Sequence, residues 1–430
     1  MSVSQILSNL GVPDGAASDG TLNTRINLHN VTQLRDLLDT GLSPEQRAQH
    51  ADALLDGITA PADQPGVALQ HRLVRHVVGN DELSEEDRAQ LAPALPITAH
   101  VTTQPPGVGT GGKSTTLGPQ PPGGGTAQPP VGGPMQVNYV WDVSTPDGSL
   151  KVIALPNGIE LLDGGCIVAR STPLHFTCGS LTRTGGPPAG YSGDFNILGT
   201  TGTPAATPPA PLTPDQAPAG APGQCSSAGI AGQGGGPGAP GQQGTAGAAG
   251  LRGHDGIASA LASIVIMGSL ELSKAAKKAL VVATQSGPGG PGGGGGPGGD
   301  GGQGGNGGDG ATCDCTGSGG GAAGPGGRGG TGGRAGDGGN GVDAAGNITV
   351  FLPHGTSASL VQPAPSPAPP GQPGQPGPGG PGGPAGVPGT AGKNNSAGAV
   401  AGSGPIGDPG GPGNPGTHTG AAAQVTVTVG

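Results

Sequence analysis

Three groups of residues in this chain have types and spacings that could do chemistry. Gly107-Val-Gly-Thr-Gly-Gly112-Lys113-Ser114 fits the phosphate-binding loop pattern residue for residue, with Ile97 to Thr103 available as the preceding strand. That chemistry needs a helix beginning at the lysine, whose N-terminal amides hold the phosphates. Gly118-Pro119-Gln120-Pro121-Pro122-Gly123 ends any such helix within about a turn. Lys113 therefore reads as a lone solvated charge, and no cofactor is expected. The cysteines form the second group. Cys166 and Cys178 lie where a strand pair could bridge them, Cys225 precedes the first glycine tract, and Cys313-Asp314-Cys315 lies at a turn between two tracts. Two readings stand: a staple from Cys225 to the turn at Cys313 and Cys315, or free and partly paired thiols. The odd count of five excludes complete pairing within one chain. A Cys-x-Cys metal site needs further Cys or His nearby; none is there, and no metal is expected.

The third group is a column, Asp300, Gln303, Asn306 and Asp309, one residue in every three. On a chain rising about 3.1 Å per residue these acceptors stand about 9 Å apart. That spacing suits a repetitive surface ligand better than one chelated ion; a merely soluble outer stripe is the other, plainer reading. Other matches are weaker. His71 and His76 are five apart on a predicted helix and do not share a face. Gly190-Tyr-Ser192-Gly193 lacks the second spacer of a nucleophile elbow. Gly332 to Asp337 departs from the Ca²⁺-binding nonapeptide at Ala335 and Gly339. No catalytic residue is expected.

Composition narrows the class. With 97 Gly and 48 Pro in 430 residues, about a third of the chain disfavours helices and central strands. Only Phe176, Phe195, Phe351, Tyr139, Tyr191 and Trp141 are aromatic, so no large aromatic core is available. A net charge of −10 argues against a nucleic-acid partner. No run approaches the roughly 18 apolar residues of a membrane span, and the N-terminus does not read as a Sec-type signal. Composition favours an extracellular or cell-surface location.

The elements that must position these groups change along the chain. Residues 1–95 read as a helical domain: Ser43-Pro44-Glu45-Gln46 and Ser84-Glu85-Glu86-Asp87 are helix starts, and Val31 to Leu38 and Val67 to Val78 have helical spacing. Residues 96–134 read as a Gly/Pro/Thr linker. Residues 135–200 read as a small β domain, with period two through Val137, Tyr139, Trp141 and Val143. Apolar runs Val152 to Leu155, Ile159 to Leu162 and Cys166 to Ala169 follow, separated by turns at Pro146-Asp147-Gly148 and Pro156-Asn157-Gly158. Residues 201–430 form a glycine-rich array in which a short strand recurs: Ile264 to Ile266, Ile348 to Leu352 and Val425 to Val429, after a first instance at Phe195 to Leu198.

The tracts are of two kinds. Those at 287–310 and 324–341 are Gly-Gly-X; those at 229–256 and 371–392 have one strict Gly column, and a short run covers 404–416. Two bare columns suit a chain surrounded by others, whereas one suits a chain on the outside, where Pro is tolerated. The Gly-Gly-X tracts resemble the polyglycine II bundles of springtail antifreeze proteins and the receptor-binding tips of phage tail-fibre adhesins. The single-Gly tracts resemble collagen. The expected fold class is multi-domain: a small α-helical N-terminal domain, a small all-β domain, and a C-terminal glycine-rich polyglycine II/polyproline II helix bundle with short β-strands. The expected function is a non-enzymatic structural or surface-binding protein, a rigid module for adhesion or assembly, which self-associates or meets a surface ligand. The alternatives are a collagen-like trimeric stalk or filament component and, from the springtail resemblance, an ice- or carbohydrate-binding protein.

Overall fold

A computed structural model describes residues 22–38, 42–56, 65–103, 116–117, 133–226, 232–273, 279–314 and 316–430. The phosphate-loop match at Gly107 to Ser114, Cys315 and most of the linker lie outside the described residues. Among the described residues four helices occupy the N-terminal part: α1 (Val31–Leu37), α2 (Pro44–Asp56), α3 (Pro65–Val77) and α4 (Glu85–Leu91). Their starts follow local chemistry. Ser43 Oγ accepts from Gln46 N at 3.3 Å while Gln46 Oε1 accepts from Ser43 N at 2.9 Å, a reciprocal capping box. Asn30 and Ser84 cap α1 and α4 in the simpler one-way form.

The strands are β1 (Leu22–Leu28), β2 (Ile97–Thr103), β3 (Thr116–Leu117), β4 (Met135–Val137), β5 (Val140–Asp142), β6 (Leu150–Leu155), β7 (Ile159–Leu161) and β8 (Cys166–Arg170). The series continues with β9 (Leu174–Arg183), β10 (Phe195–Leu198), β11 (Ala262–Leu272), β12 (Leu280–Gln285), β13 (Ile348–Leu352), β14 (Val361–Ser366) and β15 (Val425–Val429). They form two sheets. One has ten strands along the path β1-β2-β6-β9-β11-β13-β15, with β3, β4 and β7 attached; the other has five, in the order β14-β12-β10-β8-β5. Every pairing is parallel except β1 with β2.

The chain therefore alternates between sheets, and from β8 onward each circuit adds one strand to each. The core lies between them: Phe176, Ile264 and Val350 from the large sheet meet Phe195, Ile197 and Val282 from the small one, all fully buried. Phe176 and Phe195 stack edge to face, with ring centroids 5.2 Å apart. The other face of the large sheet is covered by helices, with Leu28, Val101 and Val152 packing against Leu34, Leu37 and Val77. Burial on both faces explains why runs such as Ile264-Val-Ile266 are continuously apolar.

This architecture overturns the expected fold class. The described residues build a large mixed sheet and a five-stranded parallel sheet with four helices, and they do not form a helix bundle with strands at its end. The apolar runs of the glycine-rich half are successive strands of the same stack that begins at Met135. The physical reason is connectivity. Parallel neighbours such as β9 and β11, β11 and β13, or β13 and β15 need a long crossover connection, and here a strand of the small sheet and a glycine tract together supply it. Residues 199–261, 286–347 and 367–424 join β10 to β11, β12 to β13 and β14 to β15. The period-two run from Val137 to Val143 also divides, β4 entering the large sheet and β5 the small one.

Candidate binding surface

Each of the three long connections runs out and back as a hairpin of extended limbs, and the limbs bond sideways. In the first, Thr200 and Ile257 exchange backbone hydrogen bonds of 3.0 and 2.8 Å near the sheets, and Gln224 N donates to Gln233 O at 3.0 Å near the tip. In the second, Gly327, Gly330 and Gly333 on the returning limb donate to Gly302, Gly299 and Gly296 on the outgoing one. In the third, Gly404, Gly407 and Gly410 donate to Gly383, Gly380 and Gly377. The step is three residues each time, so one line of amides on each limb faces one neighbour.

The middle hairpin is enclosed by the other two. Its outgoing limb donates from Gly302 to Gln242 O at 2.7 Å and from Gly301 to Pro381 O at 2.9 Å; its returning limb donates from Gly329 to Pro405 O at 2.9 Å and accepts at Pro325 O from Gly241 N at 2.8 Å. A Cβ on Gly298 would stand 2.0 Å from Gly330 O, and one on Gly305 would stand 2.0 Å from Pro218 O. Two glycines per triplet are thus required there. On the first hairpin's returning limb only one is: a Cβ on Gly238 would meet Gly305 O at 2.0 Å, while Ala239 and Pro240 carry side chains.

Side chains reinforce the sideways bonding. The column Asp300, Gln303, Asn306, Asp309 lies along the groove between the outgoing limbs of the first and third hairpins. Asp309 Oδ1 accepts from Thr390 N at 2.8 Å and Thr390 Oγ1 at 2.7 Å. Asn306 Oδ1 accepts from Val387 N at 2.9 Å and Gln216 Nε2 at 3.3 Å, and Asp300 Oδ2 accepts from Thr213 Oγ1 at 3.2 Å. Gln303 takes part through its carbonyl, which accepts from Ala217 N at 2.9 Å. The same clip recurs on the returning limbs: Asp337, Asn340 and Asp343 accept from Asn414, Thr417 and Ala421 amides at 2.7 to 2.8 Å. The donated amide hydrogens hold the carboxyls of Asp309, Asp337 and Asp343 below the usual carboxylate range. The sequence pattern located this column; its lateral bonding was not visible because the neighbouring limbs are about 80 residues away in the chain.

The cysteines separate into two groups. Cys225 and Cys313 form a disulfide with Cα atoms 5.7 Å apart, tying the tips of the first and second hairpins. Asn395 in the third tip donates to Gly317 O at 2.5 Å, so all three tips are linked. Cys166 and Cys178 are free and buried, and burial pushes the Cys166 thiol up to about 11 and the Cys178 thiol well above the ordinary range. Cys178 faces the core between the sheets.

One polar cluster has no counterpart in the sequence reading. His50 on α2 lies under the large sheet, its ring 5.6 Å from Phe351 and its Nε2 3.1 Å from Ser263 Oγ. Beside it His175 Nε2 lies 3.1 Å from Thr177 Oγ1. Burial drives the two rings down to about 4 and about 3, so both are neutral at pH 7. A histidine beside a serine is the start of a nucleophile arrangement, yet both residues are buried where α2 meets the large sheet. Only the contact across 213 residues of sequence brings them together. His71 and His76 lie on α3, and His76 Nδ1 is 2.8 Å from Asp81 O. Among the described residues no group of three or more His, Cys, Asp or Glu is placed to hold a metal ion, and no helix is long and apolar enough to cross a membrane. The chain matches no known protein family, no curated protein and no solved structure.

Proposed function

We propose that this is a non-enzymatic structural or surface-binding protein in which the two sheets and the helices form a base and the three glycine-rich hairpins form a rigid projection that meets a surface. The observation that carries the reading is the distribution of exposed apolar side chains. Leu212 and Leu251 on the first hairpin and Val387, Val400 and Ile406 on the third are 62 to 91% exposed, whereas among the described residues of the enclosed middle hairpin no large apolar side chain is exposed. Side chains placed singly on a backbone fixed by hydrogen bonds are ordered before binding, so little conformational entropy is lost on contact. An outgoing limb of 24 residues from Gly287 to Gly310 reaches at most roughly 85 Å, far enough to present this surface clear of the base. The loop from Pro353 to Ser359 joins β13 to β14 and so lies at the base.

The test is binding of the full chain to a panel of immobilised polysaccharides and glycans, alone and with Leu251→Asp, Val400→Asp and Ile406→Asp combined. Binding to at least one probe, weakened by roughly tenfold or more in the triple variant at unchanged melting temperature, is expected. Absence of binding to every probe, or binding indifferent to the three substitutions, would overturn the reading.

A further inference from the structure

The two sheets end side by side at β14 and β15, and these two edges are built differently. In a parallel strand the N–H and C=O of one residue point to one side and those of the next residue to the other. In β14 the ladder to β12 requires donors, so Pro363 and Pro365, which have none, face the open edge. An edge lined with proline is closed to further pairing. In β15, Gln424 O accepts from Ile348 N at 2.8 Å and Gly430 N donates to Leu352 O at 3.0 Å. Residues of even number therefore face β13, and Val425, Val427 and Val429 turn their N–H and C=O groups away from it. Among the described residues no strand pairs with that side.

The strand Val425-Thr-Val-Thr-Val429 reads the same in both directions. An antiparallel copy centred on Val427 sets Val427 opposite Val427, Val425 opposite Val429 and Thr426 opposite Thr428. Each outward-facing valine then exchanges both backbone bonds with its partner. Val425 and Val427 pack at the margin of the core between the sheets, so their mates extend that apolar layer. Thr426 and Thr428, in register with Thr349 and Phe351, form threonine pairs on the opposite face. We infer that the open edge of β15 is a strand-addition site for a second copy of this chain, giving a two-fold dimer with a continuous sheet. The pairing is closed by its symmetry. Head-to-tail growth through the far edge is opposed by β1, which carries the exposed Arg25. This surface is separate from the hairpins, and the inference stands whatever they bind.

The experiment is sedimentation velocity of the full chain over a wide concentration range. A reversible monomer–dimer equilibrium is expected. Val427→Pro removes an outward donor and no bond to β13, and by symmetry two interface bonds are lost; the dimer should weaken by roughly tenfold or more at unchanged melting temperature. Val427→Cys under oxidation should give a dimer linked between the two copies of position 427, and this variant decides the matter if the proline variant melts early. A monomer at every concentration, an open-ended series of oligomers, a proline variant that folds and dimerises with wild-type affinity, or a cysteine variant that does not cross-link would each overturn the inference.

Discussion

Between the two sheets, Phe176, Ile264 and Val350 are fully buried and pack side chain against side chain. Between the hairpins, Gly298, Gly301 and Gly304 have a neighbour's carbonyl oxygen 2.0 to 2.1 Å from where a Cβ would stand. One region coheres through what its side chains bury, the other through backbone bonds that the absence of side chains permits. The first is a hydrophobic core, worth about 25 cal/mol per Å² of apolar surface removed from water. The second rests on hydrogen bonds of about 1 kcal/mol each against backbone entropy of comparable size. The hairpins are rooted in adjacent strands of the stack, which holds the roots of their limbs side by side. The base thus reduces the entropy that the projection must lose.

Substitutions should separate the two regions. Gly298→Val places three carbons where Gly330 O already lies and should cost more than about 4 kcal/mol, seen as a lost or strongly lowered thermal transition. In the base, Asp194→Ala leaves the fully buried Arg183 without its ion-pair partner and removes the acceptor of Val281 N at 2.8 Å. That should cost about 3 to 5 kcal/mol by chemical denaturation. Cys225→Ser opens a link between residues 88 apart and should cost about 2 to 4 kcal/mol, with the first loss of amide protection at the hairpin tips.

Acid should reach the base before the projection. His50 and His175 have folded pKa values near 4 and 3, below the ordinary 6.5, so the unfolded chain takes up protons that the folded chain does not. Their contribution is complete above about pH 6.5 and is lost as the pH falls toward 4. The clipped carboxyls of Asp309, Asp337 and Asp343 are also held low, and theirs is lost only at and below the usual carboxylate range. Melting curves between pH 7 and 4 should therefore fall, and His50→Gln should flatten the fall. The smallest effect belongs to Gln303→Ala: the side chain is half exposed and the lateral bond uses the carbonyl, so a change within about 0.5 kcal/mol is expected.

Much of the local structure was legible. The helix starts at Ser43 and Ser84 are written as capping residues three positions before an acceptor or amide they serve, and turns at Gly148 and Gly158 carry positive φ. The phase of the tracts was equally plain, since a missing side chain every third residue is itself a letter in the sequence. What was not legible was partnership. Phe195 to Leu198 and Ile264 to Ile266 look like repeats of one strand, yet they enter different sheets. The strand β14 was hidden because Pro363 and Pro365 argue against a strand unless it lies at an edge. The His50 to Ser263 contact gave no local signal at all. The column at Asp300 to Asp309 was found as a pattern of acceptors, but only the fold shows that those acceptors hold neighbouring limbs.

Amide hydrogen exchange tests directly whether backbone hydrogen bonds hold the glycine limbs as firmly as they hold the strands. Gly298, Gly301 and Gly304, which donate to Pro378, Pro381 and Pro384 at 2.9 Å, should exchange as slowly as Ile264 and Val350 in the large sheet. Exchange of these glycine amides at the rate of an unstructured peptide, while the sheet amides remain protected, would contradict that expectation.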